Sequence, residues 1–248
     1  MTQIIAHRGA SSTQRENTLE AFRAARQFGA DAVELDVRRT RDGVLVVHHD
    51  PSVASTSPDT GRTTRVTIID TDAAALPAHI PRVDAALDVC AGMWVNVEIK
   101  NDPDEPDFDD TESVAEQTMA LLIARGEPDR WLVSSFRLQT IDRCRAVADD
   151  AGVAIRTAWL TMVASFQPVP DAVIEMLVAR GHAALHPWVL TLERSTVAAC
   201  HRAGLAVNAW TCDDPRRMEE LIEWGIDGIC TNVPDVGVSV VAARGARS

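Results

Sequence analysis

Glu34 and Asp36 stand two apart in the run Ala32-Val33-Glu34-Leu35-Asp36-Val37, which reads as a β-strand. Alternate residues of a strand point to the same side, so the two carboxylates leave one face close together while Val33, Leu35 and Val37 leave the other. Like charges at that spacing are costly unless something positive lies between them. Oxygen ligands suit a hard divalent cation, Mg²⁺ or Ca²⁺. Asp42-Gly43 is a turn signal. If it closes a hairpin, Thr40 faces Val44 and Asp36 faces His48, which returns His48 and His49 to the level of the carboxylates. A cation and a proton-transferring imidazole could share one site.

The elements that would position these groups follow one rhythm. Gln3 to His7 is a short strand, and Asn17, with Glu20 three residues on, can cap a helix that stops at Gly29. The strand at Ala32 and its hairpin follow. Segment 51–80 reads as irregular, rich in Ser, Thr, Asp and Pro, and as a functional loop or small inserted element. A helix from about Ile80 to Cys90 leads to a strand from Trp94 to Lys100, on which Asn96, Glu98 and Lys100 share a face. The acidic run Asp102–Asp110 is most simply a solvated loop before a helix to Arg125. Strands at 131–134, 154–159, 183–186, 205–210 and 228–232 then alternate with helices at 138–149, 171–179, 192–203 and 215–224. Setting the hairpin arm aside, this is eight strands in 248 residues. Strict β-α alternation argues a parallel sheet, and eight such units argue a closed (β/α)₈ TIM barrel of the α/β class. An open doubly wound sheet has no Gly-x-Gly-x-x-Gly or P-loop pattern to support it. No linker divides the chain, so 1–248 reads as a single barrel domain with 51–80 as its insertion after the second strand's hairpin.

In such a barrel chemistry sits at the C-terminal strand ends. Those ends carry His7-Arg8, Glu34 and Asp36, Glu98 and Lys100, Ser134-Ser135-Phe136, His186-Pro187-Trp188, Asn208 and Trp210, and Thr231-Asn232. Each has a plainer reading. His7 alone could be a structural histidine. Glu34 and Asp36 could pair Arg38 or Lys100 as buried ion pairs, Asn17-Thr18 is a natural helix cap, and Trp188 and Trp210 could be packing. His79, His182 and His201 read as surface residues. The joint occurrence favours a site.

The composition excludes other classes. With a formal charge of −12 and scattered basic residues, no nucleic-acid or anionic-membrane partner is expected. No stretch of about 20 apolar residues suggests a membrane span, and no secretory signal is visible. Five cysteines without a CxxC pattern fit reduced thiols. A soluble cytoplasmic protein is the expectation; the oligomeric state is open.

His7-Arg8-Gly9-Ala10-Ser11, Glu16-Asn17-Thr18-Leu19-Glu20-Ala21-Phe22, Glu34-Leu35-Asp36-Val37, Asp42-Gly43, His49-Asp50 and Asn96-Val97-Glu98-Ile99-Lys100 resemble the glycerophosphodiester phosphodiesterase family. Ser135-Phe136, Asn208-Ala209-Trp210-Thr211 and Gly225 to Pro234 continue the resemblance, in the family's order, over nearly the whole chain. It implies a barrel of the phospholipase-C-like phosphodiesterase type and one divalent metal, Mg²⁺ or Ca²⁺. It also implies hydrolysis of a small glycerophosphodiester to glycerol 3-phosphate and an alcohol. Carried over by motif, the metal ligands look like Glu34, Asp36 and Glu98. His7 and His49 look like the acid/base pair, with His48 a rival for His49. Arg8 and Lys100 look like phosphate contacts, and Phe136 and Trp210 resemble apolar walls around the glycerol. The nucleophile implied is the glycerol 2-hydroxyl or water. Arg15, Ser12 and Asn232 depart from the family's usual residues, as does segment 51–80, which leaves the alcohol open. Two other readings are a lysophospholipase D-like or sphingomyelinase D-like enzyme on the same scaffold, and a barrel that binds a phosphodiester or metal without turnover.

Overall fold

The computed structural model describes residues 1–56, 61–162 and 169–245; residues 57–60 of the 51–80 segment, 163–168 and 246–248 lie outside it. Eight parallel strands form the frame: β1 (Gln3–His7), β2 (Ala32–Arg39), β6 (Trp94–Ile99), β7 (Trp131–Ser135), β8 (Arg156–Thr161), β9 (Ala184–Pro187), β10 (Ala206–Ala209) and β11 (Gly228–Thr231). β1 pairs in parallel with both β2 and β11, which closes the sheet into a barrel. Helices α1 (Leu19–Gln27), α2 (Val83–Val89), α3 (Ser113–Arg125), α4 (Leu138–Asp150), α5 (Asp171–Ala179), α6 (Arg194–Arg202), α7 (Pro215–Glu223) and α8 (Pro234–Gly245) cover it.

Side-chain alternation along the strands sorts the core. Val33, Leu35 and Val37 of β2 join Phe22 of α1, Leu87 of α2 and Met119 of α3 in one buried cluster between sheet and helices. The opposite faces turn inward, where Ile5, Ala32 and Cys230 pack beside Trp94 and Trp210. This interior is tight: a Cβ at Gly228 would lie 2.4 Å from Asn208 Oδ1 and 2.9 Å from Ile5 Cδ1. Glycine is what lets β11 approach there.

The hairpin forms in the expected register. β3 (Leu45–Val47) runs antiparallel to β2, Thr40 N–H donates to the Val44 carbonyl, and His48 N–H donates to the Asp36 carbonyl at 3.0 Å. Four expectations are corrected. The cap of α1 is Thr18, whose Oγ1 accepts from Ala21 N–H, while Asn17 stands before it at φ 57°. Segment 51–80 is not all irregular: β4 (Ser52–Thr56) and β5 (Thr63–Thr67) form a separate antiparallel hairpin. α8 follows the last strand where no helix was read, because its Val-rich, Gly-containing sequence has low helix propensity. Gly237 earns its place by contact, since a Cβ there would meet Ile4 Cδ1 of β1 at 3.0 Å. His182 is buried, not at the surface, with its ring nitrogens 2.9 Å from Thr157 Oγ1 and 3.1 Å from Asp142 Oδ1.

Candidate active site

Strand register brings the acidic groups together. His7 pairs with Glu34 across β1–β2, and Glu34 with Asn96 and Asp36 with Glu98 across β2–β6. Oxygens of Glu34, Asp36 and Glu98 all lie within 4.8 Å of one another, the one group of this kind among the described residues. All three side chains are buried. Glu34 Oε2 accepts from the Arg8 backbone N–H at 2.9 Å, yet its Oε1, like Asp36 Oδ1, is buried and accepts no hydrogen bond from the described residues. Unbonded oxygens on converging carboxylates are the donor set a hard divalent cation requires.

The electrostatics divide the three. Burial pushes Glu34 well above the usual carboxylate range, and the charges of Asp36 and Glu98 push it further. Burial also raises Glu98, against the pull of Lys100. Burial works the same way on Asp36, but Lys100, Arg8, His49 and Asn17 outweigh it and hold this carboxyl down at about 2. Lys100 Nζ stands 2.8 Å from Glu98 Oε1 and 3.7 Å from Asp36 Oδ1, and Arg8 Nε lies 3.2 Å from Asp36 Oδ2. Both cations therefore flank the carboxylates and any anion drawn to them.

Two imidazoles stand beside this cluster. Asn232 donates through Nδ2 to Asp213 Oδ2 at 2.7 Å, which turns its Oδ1 toward His7 Nδ1, also 2.7 Å away. With that assignment His7 carries its proton on Nδ1 and presents an unprotonated Nε2, 4.0 Å from Glu34 Oε2. Burial, then the Arg8 charge, lowers its pKa. His49 Nδ1 lies 2.8 Å from Asp50 Oδ1. His49 lines a cleft of about 220 Å³ together with Glu98, Lys100 and Phe136, and His48 does not. Phe136 and Trp210 meet edge to face at 5.3 Å, with Lys100 Nζ 5.7 Å from the centre of the Phe136 ring. Trp210 lines a second, small space with His7, Glu34 and Glu98. All nine candidate residues thus gather at one mouth of the barrel.

The local backbone is built for this. Arg8 adopts φ 54° and Gly9 φ 84°, and a Cβ at Gly9 would stand 2.6 Å from the Ala21 backbone. The loop after β1 therefore lies flat on α1, and this brings the Arg8 N–H to Glu34. Two residues have roles that the sequence did not suggest. Asn17 is no cap: its Nδ2 donates to Asp36 Oδ2 at 2.7 Å. Arg38 pairs with neither Glu34 nor Asp36. It turns to the His49 carbonyl, Glu105 and Asp107, and so the acidic run is partly an ion-pairing loop.

The sequence profile of the glycerophosphoryl diester phosphodiesterase family matches residues 7–236. Among curated relatives, a probable glycerophosphodiester phosphodiesterase 2 of Mycobacterium tuberculosis is 31% identical over 97% of this chain and 91% of its own length. A glycerophosphodiester phosphodiesterase of Caldanaerobacter subterraneus is 28% identical over 98% of this chain and 99% of its own. Among solved structures, a glycerophosphoryl diester phosphodiesterase assigned in Silicibacter pomeroyi superposes with a TM-score of 0.84 at 25% identity, covering 99% of this chain and 94% of the other. An Oleispira antarctica phosphodiesterase in complex with the product sn-glycerol-3-phosphate superposes at 0.80, with 24% identity and coverage of 98% and 97%.

Proposed function

The chain belongs to the glycerophosphoryl diester phosphodiesterase family, and from that premise we propose that it hydrolyses small glycerophosphodiesters to glycerol 3-phosphate and an alcohol, using one divalent cation and a pair of histidines. In this reading 1–248 acts as one barrel unit with 51–80 as its insertion, in the cytoplasm, where its five buried cysteines remain thiols. No helix of the described residues is long and apolar enough to cross a membrane. β5 exposes Thr63, Thr64 and Arg65, a poor bed for an acyl chain, so small substrates are favoured over lysophospholipids.

The observation that supports the reading is the trio of buried carboxylates with unbonded oxygens, flanked by two oriented imidazoles. Glu34, Asp36 and Glu98 would hold Mg²⁺ or Ca²⁺, which when bound supplies positive charge to a phosphate oxygen. Arg8 and Lys100 share the remaining phosphate charge. His7 Nε2 faces the site unprotonated, and its lowered pKa keeps it so at neutral pH, the state a general base needs. It takes the proton of the attacking group, water or the glycerol 2-hydroxyl, as the new P–O bond forms; after attack by the 2-hydroxyl, water must then open the cyclic phosphate to give glycerol 3-phosphate. His49, oriented by Asp50, gives a proton to the departing alcohol oxygen as the old P–O bond breaks. Such transfers contribute about 10²–10⁴-fold. Phe136 and Trp210 offer apolar faces to the glycerol carbons.

The test is a panel of glycerophosphocholine, glycerophosphoethanolamine, glycerophosphoinositol and lysophosphatidylcholine, with Mg²⁺, Ca²⁺ or chelator. Cation-dependent release of glycerol 3-phosphate from the first three is expected. Binding without product release would support the non-catalytic alternative instead.

A further inference from the structure

Arg38 follows Asp36 by two positions on the same face of β2, and its side chain is completely buried. A buried guanidinium is among the costliest groups to desolvate, and it is stable only when its donors are fully used. Here they are. Nε and Nη2 both donate to the His49 carbonyl, the former at 2.8 Å. Nη2 also reaches Glu105 Oε2 at 2.9 Å, and Nη1 reaches Asp107 Oδ2 at 2.6 Å. Among the described residues, none of these contacts reaches Glu34, Asp36 or Glu98.

What the arrangement connects is specific. His49 lies just past β3, and among the described residues its ring bonds the exposed Asp50. Its backbone is tied to β2 at two points: His48 N–H on the Asp36 carbonyl, and the His49 carbonyl on Arg38. The second tie draws in the loop after β6, through Glu105 and Asp107. That loop is itself anchored, since the Asn101 side chain exchanges hydrogen bonds with the Asp109 backbone.

We propose that Arg38 is a positioning residue, which fixes the His49 imidazole relative to the Glu34–Asp36–Glu98 cluster by gripping the His49 carbonyl, with Glu105 and Asp107 as its countercharges. One rigid strand then sets both the cation ligand Asp36 and the height of His49. The proposal rests on the reading that His49 takes part in hydrolysis. A lysine cannot replace the arginine, because a compact ammonium lacks the planar fork that spans one carbonyl and two carboxylates.

The experiment is a double-mutant cycle on glycerophosphocholine hydrolysis in the full chain. Misplacing a catalytic group by about 1 Å can cost about a hundredfold. Arg38→Lys is expected to lower kcat by roughly tenfold to a hundredfold while KM stays within about twofold. In a His49→Ala background the same substitution is expected to cost less than about twofold, because the group it positions is gone. An equal loss in both backgrounds would overturn the proposal and leave the role of His49 intact. A His49→Ala protein with parent activity would instead defeat the reading of His49 itself. Should Arg38→Lys fail to fold, Glu105→Gln with Asp107→Asn removes the countercharges and keeps the Arg38–His49 contact. It is expected to lower kcat severalfold in the parent and not in His49→Ala. Unchanged kcat in the parent would overturn the countercharge role.

Discussion

Two buried carboxylate groups lie close to the same end of the barrel, and they are built in opposite ways. Glu112, just before α3, has both oxygens occupied: Oε1 accepts from Arg137 Nε at 2.8 Å, and Oε2 from Asn101 Nδ2 at 2.9 Å and Thr140 Oγ1 at 2.7 Å. In the Glu34–Asp36–Glu98 cluster two buried oxygens have no hydrogen-bond donor among the described residues, and oxygens of all three carboxylates stand within 4.8 Å of one another. A satisfied network gains stability and specifies one packing. Carboxylates crowded together with unbonded buried oxygens cost stability, as the raised Glu34 carboxyl shows, even with Arg8 and Lys100 beside them. The contrast separates what holds this fold together from what it is for.

The largest expected difference is in activity. Asp36→Asn should lower kcat on glycerophosphocholine by about 10³-fold or more, the loss of several kcal/mol of charge stabilisation. Glu112→Gln should leave kcat per folded molecule within about twofold and instead cost about 1–3 kcal/mol in denaturant unfolding, since an amide sets a donor against donors. A catalytic loss in Glu112→Gln as large as that in Asp36→Asn would erase the distinction. Next comes His7→Ala, with a loss of about 10²–10⁴-fold in kcat. Asn232→Ala leaves the ring in place but frees its tautomer, and should cost about tenfold.

The smaller effects are in stability and invert the ranking. A carboxyl raised above its ordinary value of 4.5, as Glu34 is, contributes stability that is complete below that value and is lost as the pH rises through the raised one. Glu34→Gln removes that loss. Its melting temperature at pH 8, in chelator, should exceed the parent's by a few degrees, and Mg²⁺ or Ca²⁺ should close the gap by stabilising the parent alone. Asp36 has the opposite sign. Its stability is present above 3.8 and is lost as the pH falls toward about 2, so Asp36→Asn should melt lower than the parent at pH 8. Identical melting curves for the two variants would show that the groups are not distinguished by their surroundings.

Much of this was legible in the chain. The eight-strand alternation, the hairpin register and the convergence of Glu34, Asp36 and Glu98 follow from side-chain periodicity and from the rule that barrel chemistry gathers at strand ends. What could not be read depends on contacts between distant segments. Asn17 precedes a helix and is of a type that caps helices; only the φ of 57° and the fold of the loop onto α1 turn it toward Asp36. Arg38 shares a face with Asp36, so pairing was the local expectation, and only the fold of the loop after β6 supplies Glu105 and Asp107 instead. The same loop reads as solvated because a run of carboxylates gives no local sign of a buried arginine. His182 shares the cause, since Thr157 and Asp142 lie far from it in sequence, whereas α8 is hidden by its low helix propensity.

The central claim is that three carboxylates exist to hold one divalent ion for hydrolysis. Chelator-stripped protein, assayed for glycerol 3-phosphate release from glycerophosphocholine while Mg²⁺ or Ca²⁺ is titrated, tests it most directly. The account predicts no release without the ion, full activity at one bound ion per chain, and no recovery in Asp36→Asn. A stripped protein that works at full rate, or an Asp36→Asn variant that responds to the ion as the parent does, would contradict it.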